Sequence, residues 1–183
     1  MPRPRTLLSQ QDWIDAGQDI LRESGITGVK LTPLLARLKV TSGSFYHHFA
    51  DFQAYLDALA DHYGTINISR VTAAIDGVSS AEQLAELRRL MDEWDIPRLD
   101  KAMRVWAVSN ERAAGAVRKL DGELLTLIRD ALVGLGFSND EARVRALLIF
   151  SAGAGLPLVF SPWPIDPDDT TRALELLITL PPS

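Results

Sequence analysis

The chain has 183 residues, of which 46% are hydrophobic and 23% charged, which fits one ordinary globular domain or two small ones and excludes a disordered or fibrous protein. It contains no cysteine, which excludes disulfides, thiol nucleophiles and thiolate metal sites and leads us to expect a cytoplasmic protein. The net charge of -5 is uneven, because residues 1–50 carry six basic and four acidic side chains. A mildly basic segment at residues 1–50, followed by an acidic remainder, is compatible with contact between residues 1–50 and phosphate.

The first predicted element is an amphipathic helix from Ser9 to Glu23, because apolar residues recur there at three- and four-residue steps. Ser9 and Asp12 have the spacing of a capping box, and Gly25 ends the helix. The positions predicted to face inward are Trp13, Ile14, Gly17, Ile20 and Leu21.

Three further helices are predicted before residue 76. Thr32 caps a short second helix that extends to Leu38, with Pro33 at its first helical position. Thr41 or Ser42 caps a very short third helix, and Asp51 caps a longer fourth helix that extends to about residue 75. The first 75 residues therefore hold four helices.

The remaining residues also show helical spacing and no sustained alternation of period two. A boundary is predicted at residues 77–80, where Ser80 with Gln83 resembles a helix cap. The chain is therefore predicted to be all-α, with about nine helices. The helices predicted after the boundary are 81–94, 98–112, 113–134, 138–156 and 168–180.

One segment, residues 146–165, has the length of a membrane span and no charge. Its three prolines limit a continuous helix to about residues 143–156, which is too short to cross a bilayer. The small residues around Ser151 and Gly155 allow close approach of another helix. We expect burial in a helix–helix or subunit interface and no contact with a membrane.

Two short helices joined by a tight turn are the sequence form of a helix-turn-helix. Phe45 and Phe49, four residues apart, anchor the inward face of the second of these helices. Its first residues, Ser42, Gly43 and Ser44, are small enough to enter a major groove about 12 Å wide. The pattern predicts a helix that binds DNA.

Residues 31–59, LTPLLARLKVTSGSFYHHFADFQAYLDAL, resemble the DNA-binding signature of the TetR family of bacterial transcriptional regulators. The resemblance covers about the first third of the chain. The residues that carry it are Thr32, Leu35, Ala36, Val40, Thr41, Gly43, Tyr46, His48 and Phe49.

The resemblance implies a homodimer whose recognition helices enter successive major grooves of a roughly palindromic operator. It divides the chain into a DNA-binding domain at 1–50, a connecting fourth helix at 51–75, and a ligand-binding and dimerisation domain at 76–183. The DNA-binding residues it implies are Ser42, Ser44 and His47 toward the groove, with Gly43 beside them, and Thr32, Tyr46 and His48 toward phosphates.

Three positions depart from the family pattern. Lys39 stands where a glycine usually forms the turn, and it must adopt a left-handed conformation or change that turn. Phe52 stands where a lysine usually begins the fourth helix, and Pro33-Leu34 lacks polar side chains. We therefore expect a shallow salt dependence of DNA binding unless other cations compensate. The candidate cations are Arg3, Arg5, Lys30 and Lys39.

Two adjacent predicted helices of the larger domain carry methionine and tryptophan side chains. Such side chains form ordinary core or line an adaptable apolar pocket, and the resemblance implies a site for a small apolar or amphipathic effector there. No cofactor is predicted. The candidate ligand-binding residues are Met91, Trp94, Met103 and Trp106.

The last two predicted helices are apolar on most sides, which is unusual for surface helices. In the TetR family such helices pair with their copies in a four-helix interface, which implies a homodimer here. The apolar residues concerned are Leu147, Leu148, Ile149 and Phe150 in one helix and Leu174, Leu176, Leu177 and Ile178 in the other.

These patterns favour a ligand-responsive transcriptional regulator, most often a repressor. One alternative is an all-α ligand-binding or scaffold protein that has lost DNA binding. Another is an enzyme, since Ser44, His48 and Asp51 have the spacing of a nucleophile, base and acid, but Asp51 is better explained as a helix cap. Neither a catalytic site nor a metal site is predicted.

Overall fold

The computed structural model describes residues 8–155 and 167–178, and these residues form nine α-helices and no strand. The predicted all-α class is confirmed. A 3-10 turn, Ile26–Gly28, follows the first helix. The α-helices are α1 (Gln10–Ser24), α2 (Leu31–Leu38), α3 (Ser42–His48), α4 (Phe52–Ile75), α5 (Ser80–Glu93), α6 (Ile96–Ala107), α7 (Glu111–Gly134), α8 (Asn139–Gly155) and α9 (Pro167–Ile178).

Helix α1 has the start and the end that the sequence predicts. The Ser9 side chain accepts a hydrogen bond from the Asp12 amide, and the Asp12 carboxylate accepts one from the Ser9 amide at 2.6 Å. At the other end Gly25 has φ 65°, a conformation that glycine adopts without a steric cost. The two local signals confirm the capping box and the stop.

Two predicted caps are wrong by one or two residues. Helix α2 begins at Leu31, so Lys30 is its N-cap and Thr32 lies in its first turn. Proline fits anywhere in a first turn, where amides lack helical partners, so Pro33 did not fix the start. In α5 the N-cap is Ser79, whose carbonyl accepts hydrogen bonds from the Glu82 and Gln83 amides and whose Oγ donates to the Glu82 carboxylate at 2.6 Å, so the helix begins at the predicted cap residue Ser80.

The predicted junction between helices at residue 112 is also wrong. Helix α6 ends at Ala107, and the Asn110 side chain accepts a hydrogen bond from the Ala113 amide at 2.9 Å, which caps α7. The predicted last helix, 168–180, is α9, and residues 179 and 180 lie outside the described residues. Residues 156–165 of the uncharged segment, with its three prolines, also lie outside the described residues.

Contacts group the described residues into two compact units. The first unit holds residues 8–66 together with Ala102–Val117. The second unit holds Asn67–Lys101 together with 118–155 and 167–178. None of the described helices is both long and apolar enough to cross a membrane.

The core of the first unit is an aromatic cluster centred on Phe45. Its ring lies 5.3 Å from the Trp13 ring in an edge-to-face arrangement and 5.6 Å from the Tyr55 ring. The buried Tyr55 hydroxyl donates a hydrogen bond to the Trp13 carbonyl at 3.0 Å, and burial raises the pKa of Tyr55. The cluster joins α1, α3 and α4.

Helices α4 and α7 are also joined within the first unit. The Arg112 guanidinium forms two hydrogen bonds with the Asp61 carboxylate, at 2.9 and 2.5 Å. One turn further along α4, a Cβ on Gly64 would lie 3.0 Å from the backbone of Ala116. The first unit therefore includes the start of α7 as well as the helix-turn-helix.

In the second unit, Arg145 of α8 holds the end of α9. Its guanidinium donates to the Leu177 carbonyl at 2.6 Å and lies 4.4 Å from the centre of the Phe137 ring.

A Cβ on Gly134 would overlap the Ser80 hydroxyl, so α7 and α5 are in close contact there. This contact gives Ser80 a packing role in place of the predicted cap.

The turn between α2 and α3 contains a strained residue. Lys39 has φ 56° and ψ 44°, the left-handed conformation, and its amide donates to the Leu35 carbonyl as the C-cap of α2. This confirms the first of the two alternatives that the sequence left open. For a residue with a Cβ the conformation costs about 1 kcal/mol.

The first prediction concerns Gly17, where a Cβ would overlap the Tyr55 hydroxyl and lie 3.0 Å from Tyr55 Cζ. We expect Gly17→Ala to lower the free energy of unfolding by about 1–3 kcal/mol, because the clash exceeds the gain in helix propensity. Gly122→Ala on α7, where a Cβ meets nothing within 4 Å, is the matched control and gains roughly 0.5–1 kcal/mol. Urea unfolding of both variants decides, and equal effects would contradict the clash.

The second prediction concerns the strain at Lys39. We expect Lys39→Gly to raise the free energy of unfolding by up to about 1 kcal/mol, because glycine adopts the left-handed conformation freely. Lys39→Ala keeps the Cβ and is expected to gain nothing. Thermal and urea unfolding measure both variants, and a gain in the alanine variant equal to that in the glycine variant would show that φ is not the cause.

Candidate nucleic-acid interface

The helix-turn-helix consists of α2, the turn at residues 39–41, and α3. Leu34 of α2 and Phe45 of α3 are fully buried, and Phe49, directly after α3, is buried as well. Thr41 has an extended backbone, and its carbonyl accepts a hydrogen bond from the Ser44 amide at 3.1 Å. The aromatic anchors therefore fix α3 along one face and leave its opposite face at the surface.

The residues predicted to face the groove lie on this outer face or at its border. Ser42, Gly43 and His47 are exposed, and Ser44 is half-buried. Thr32, in the first turn of α2, is exposed as well. The fold brings small and hydrogen-bonding side chains to the surface at the N-terminal end of α3.

Gly43 has no packing role in the fold. A Cβ built there would meet only the Thr41 Oγ1, at 4.0 Å, so the chain itself has room for a side chain. The absence of a side chain at Gly43 therefore leaves open space on the outer face of α3 near its start.

The two predicted phosphate contacts of α3 differ in exposure. Tyr46 is 56% exposed, although its ring lies edge-on to Phe45 at 5.3 Å. His48 is half-buried, with its ring 6.4 Å from that of Trp13. Tyr46 is therefore the more accessible of the two.

Hydrogen bonds from Ser9 lower the pKa of Asp12, and the nearby His48 contributes in the same direction.

Phe52, at the first position of α4, packs in the aromatic cluster. Its ring lies 6.1 Å from the Phe45 ring and 5.6 Å from the Tyr55 ring. The side chain is half-buried. Phe52 thus contributes to packing and provides no charge for phosphate.

The charges of the first unit are separated by element. All four acidic residues between residues 8 and 50 lie on α1, and residues 25–50 contain none. Arg37 of α2 pairs with Glu23 and lies 3.6 Å from Asp19. This pairing was missed in the sequence, where the four-residue spacing of the two acids on α1 was the available signal.

The remaining cations of the helix-turn-helix are at the two ends of α2. Lys30 and Lys39 are exposed, and neither forms an ion pair with a residue that the structure describes. Arg22 of α1 lies 3.0 Å from Asp19. The other two candidate cations of the sequence, Arg3 and Arg5, lie outside the described residues.

The candidate ligand-binding residues fall in both units. Met103 and Trp106 belong to the first unit and are buried. Met91 and Trp94 belong to the second unit and are half-buried, and the Arg70 guanidinium lies 4.2 Å from the centre of the Trp94 ring. Their role in binding a ligand stays a prediction.

An open cavity of about 600 Å³ lies elsewhere in the first unit, beside α1 and α2. None of the four candidate ligand-binding residues lines it. Its walls are formed by Ile20, Glu23, Ser24, Gly28, Pro33, Ala36, Arg37 and Lys39.

Asp51 has the structural role that the sequence favours. Its Oδ1 accepts a hydrogen bond from the Ala54 amide at 2.7 Å, which caps α4. Helix α3 ends at His48, so Ser44, His48 and Asp51 are not on one continuous helix.

Within the described residues, no three histidine, aspartate or glutamate side chains are grouped so that they could hold a metal ion.

Comparison with solved structures finds the same architecture along nearly the whole chain. A transcriptional regulator from Rhodococcus sp. Rha1 is 24% identical, with a TM-score of 0.73 over 93% of this chain and 94% of its own. The reduced form of NemR from E. coli is 19% identical, with a TM-score of 0.67 over 94% and 98%.

A putative TetR-family regulator from Vibrio parahaemolyticus is 19% identical, with a TM-score of 0.54 over 92% of this chain and 95% of its own. No protein-family model and no curated protein matches the sequence. The nine helices of the described residues, the helix-turn-helix at α2 and α3, and these similarities agree. The chain therefore has the all-helical fold of the TetR family of transcriptional regulators.

Proposed function

We propose that the protein is a ligand-responsive, non-enzymatic transcriptional regulator that binds a palindromic operator as a homodimer, most often as a repressor. The observation that carries the proposal is the surface of α3, where Ser42, Gly43, Tyr46 and His47 are exposed over a fully buried Phe45. A recognition helix needs this division, because it packs on its own domain while its N-terminal residues contact base edges.

Electrostatics support the same assignment. The helix-turn-helix contains no acidic residue, so nothing on α2 or α3 repels the phosphate backbone, although the chain as a whole is acidic. Hydroxyl groups of Thr32 and Tyr46 are suitable donors to phosphate oxygens. Serine side chains at the groove exchange hydrogen bonds with several bases.

Selection from random duplex DNA tests the proposal directly. The purified protein is incubated with the library at low and at high salt, and the retained duplexes are sequenced. We expect an inverted repeat whose half-sites are about one helical turn apart, 34–36 Å, and whose enrichment is lost at high salt. If folded, dimeric protein enriches no sequence, the proposal is wrong.

The third prediction separates a DNA contact from a structural tyrosine. We expect Tyr46→Phe to weaken binding to the selected duplex by about 1 kcal/mol per subunit, because it removes an exposed donor and leaves the ring on Phe45. Tyr55→Phe is the matched control, since it removes a buried hydroxyl that bonds Trp13. The control is expected to lower stability and to leave DNA affinity unchanged. Fluorescence anisotropy and thermal unfolding measure the two effects.

A homodimer is supported by the surface of the last two helices. Val144, Leu147 and Leu148 follow one face of α8 at three- and four-residue steps, and they are 50%, 55% and 51% exposed. Leu176 of α9 is 69% exposed. Arg145 donates to the Leu177 carbonyl and joins α8 to the end of α9, so both helices are available to one interface. A second copy of the chain would bury these exposed apolar residues.

The fourth prediction concerns this surface. We expect Leu147→Glu to convert the dimer to a monomer, because the interface would bury an unpaired charge from each subunit. Val108→Glu is the matched control, since Val108 is 89% exposed and lies outside α8 and α9. Sedimentation velocity measures the mass of both variants. A dimer that survives Leu147→Glu would place the interface elsewhere.

Effector binding is the least direct part of the proposal. Met103 and Trp106 are buried in the first unit, and Met91 and Trp94 are half-buried in the second. Methionine and tryptophan side chains suit an apolar or amphipathic molecule. A regulator of this kind releases DNA when the effector changes the spacing of its two recognition helices. An effector that binds tightly and leaves operator affinity unchanged would exclude the mechanism.

A second candidate is an all-α ligand-binding or scaffold protein without DNA binding. Two observations favour it: Arg37 is paired with carboxylates of α1, and Phe52 packs in the core. Both reduce the positive charge available to phosphate. The selection experiment separates the candidates, because this one enriches no sequence at either salt concentration.

A further inference from the structure

The side chain of Lys39 has no role that the fold requires. The backbone of this residue closes the turn, since its amide donates to the Leu35 carbonyl, and the next amide, that of Val40, reaches the same oxygen at 3.2 Å. Any residue provides these backbone groups, and glycine provides them without the steric cost of φ 56°. A lysine here therefore needs a reason outside the turn.

The charge of Lys39 is not used by the described part of the protein. The side chain is exposed, and no ion pair joins it to a described carboxylate. Glu23, which lines the same open cavity, is already paired with Arg37. Since strained residues that the fold does not require are concentrated at functional sites, the conformation indicates a function for the ammonium group.

The position of Lys39 identifies the partner. It lies three residues before Ser42, at the start of α3, whose N-terminal end enters the major groove in a helix-turn-helix. The phosphate backbones border that groove, and a lysine carries its charge at the end of a flexible four-carbon stem. No acidic residue lies between residues 25 and 50 to compete for the ammonium.

We propose that Lys39 contacts a phosphate of the bound DNA, so that this chain holds the border of the groove with a cation placed in the turn itself. The inference rests on the proposed function. In this inference Lys39 strengthens binding to the phosphate backbone of DNA, and the side chains of α3 make the contacts that distinguish one base from another. The lysine would tighten binding to every duplex by the same factor.

The experiment measures DNA affinity as a function of salt. Fluorescence anisotropy follows binding of a labelled mixed-sequence duplex of about 30 base pairs, roughly three helical turns, at potassium chloride concentrations from about 50 to about 200 mM. Lys39→Gln removes the charge and keeps the strain, whereas Lys39→Gly removes both. Lys39→Arg keeps the charge. Lys119→Gln on α7 removes the same charge outside the helix-turn-helix.

We expect both charge-removing variants to bind more weakly. The negative slope of log affinity against log salt is expected to become shallower by about 0.9 for each subunit bound. The arginine variant and Lys119→Gln are expected to keep the wild-type slope. Lys39→Gly is the sharpest case, because it is expected to be more stable than wild type and still to bind DNA less well. Circular dichroism and thermal unfolding verify that each variant is folded.

The outcomes separate this inference from the proposed function. If wild type binds DNA and Lys39→Gln and Lys39→Gly keep its slope, the phosphate contact is wrong and the regulator stands. If Lys39→Gln weakens only the selected operator and leaves the mixed duplex unaffected, Lys39 reads sequence and the proposal is also overturned. If wild type binds no duplex at any salt concentration, the proposed function fails and this inference fails with it.

Discussion

The packing of Phe45 is the constraint on which the first unit depends. Its ring contacts Trp13 of α1 and Tyr55 of α4, and a hydrogen bond joins the latter two residues across the same core. Helix α3 has only seven residues, too few to be stable in isolation. Its orientation therefore comes from this aromatic anchor, and the exposure of its outer face follows from the burial of its inner one.

The arrangement of charge follows from the same packing. Helix α1 carries the four acidic residues found between residues 8 and 50, and its Glu23 forms an ion pair with Arg37 of α2. Phe52, at the start of α4, packs in the aromatic cluster and carries no charge. The cations of the helix-turn-helix that remain without an ion pair to a described residue are therefore Lys30 and Lys39, at the two ends of α2. The surface that the fold leaves for a partner is weakly basic, free of acidic residues, and rich in hydroxyl groups.

The first unit extends beyond the helix-turn-helix. The ion pair between Arg112 and Asp61, with Gly64 against Ala116, makes the start of α7 part of the same compact unit as α3. Both groups of the ion pair are about half exposed, so the pair adds little stability by itself. The close backbone contact at Gly64 is the stronger structural link, because backbone atoms have no alternative rotamer.

The sequence by itself determined the elements whose signals are local. The capping box at Ser9, the glycine stop at Gly25, the helix-turn-helix residues from Thr32 to Phe49 and the all-α class were all readable, because each depends on groups within one or two helical turns. Neighbouring residues of similar type produced the errors, as at Ser79 beside the predicted Ser80, and at Asn110, whose side chain caps α7 ahead of the predicted junction.

Only the tertiary structure decided which side chains remain available to a partner. Arg37 counts as a basic residue in the sequence, but its charge is paired with acids fourteen and eighteen residues earlier in the chain. Phe52 reads as a missing phosphate contact and is in fact a packing residue, whereas for Lys39 the sequence left two conformations open and the backbone angle selects the left-handed one. Such properties depend on contacts between elements distant in sequence, and a local pattern alone does not decide them.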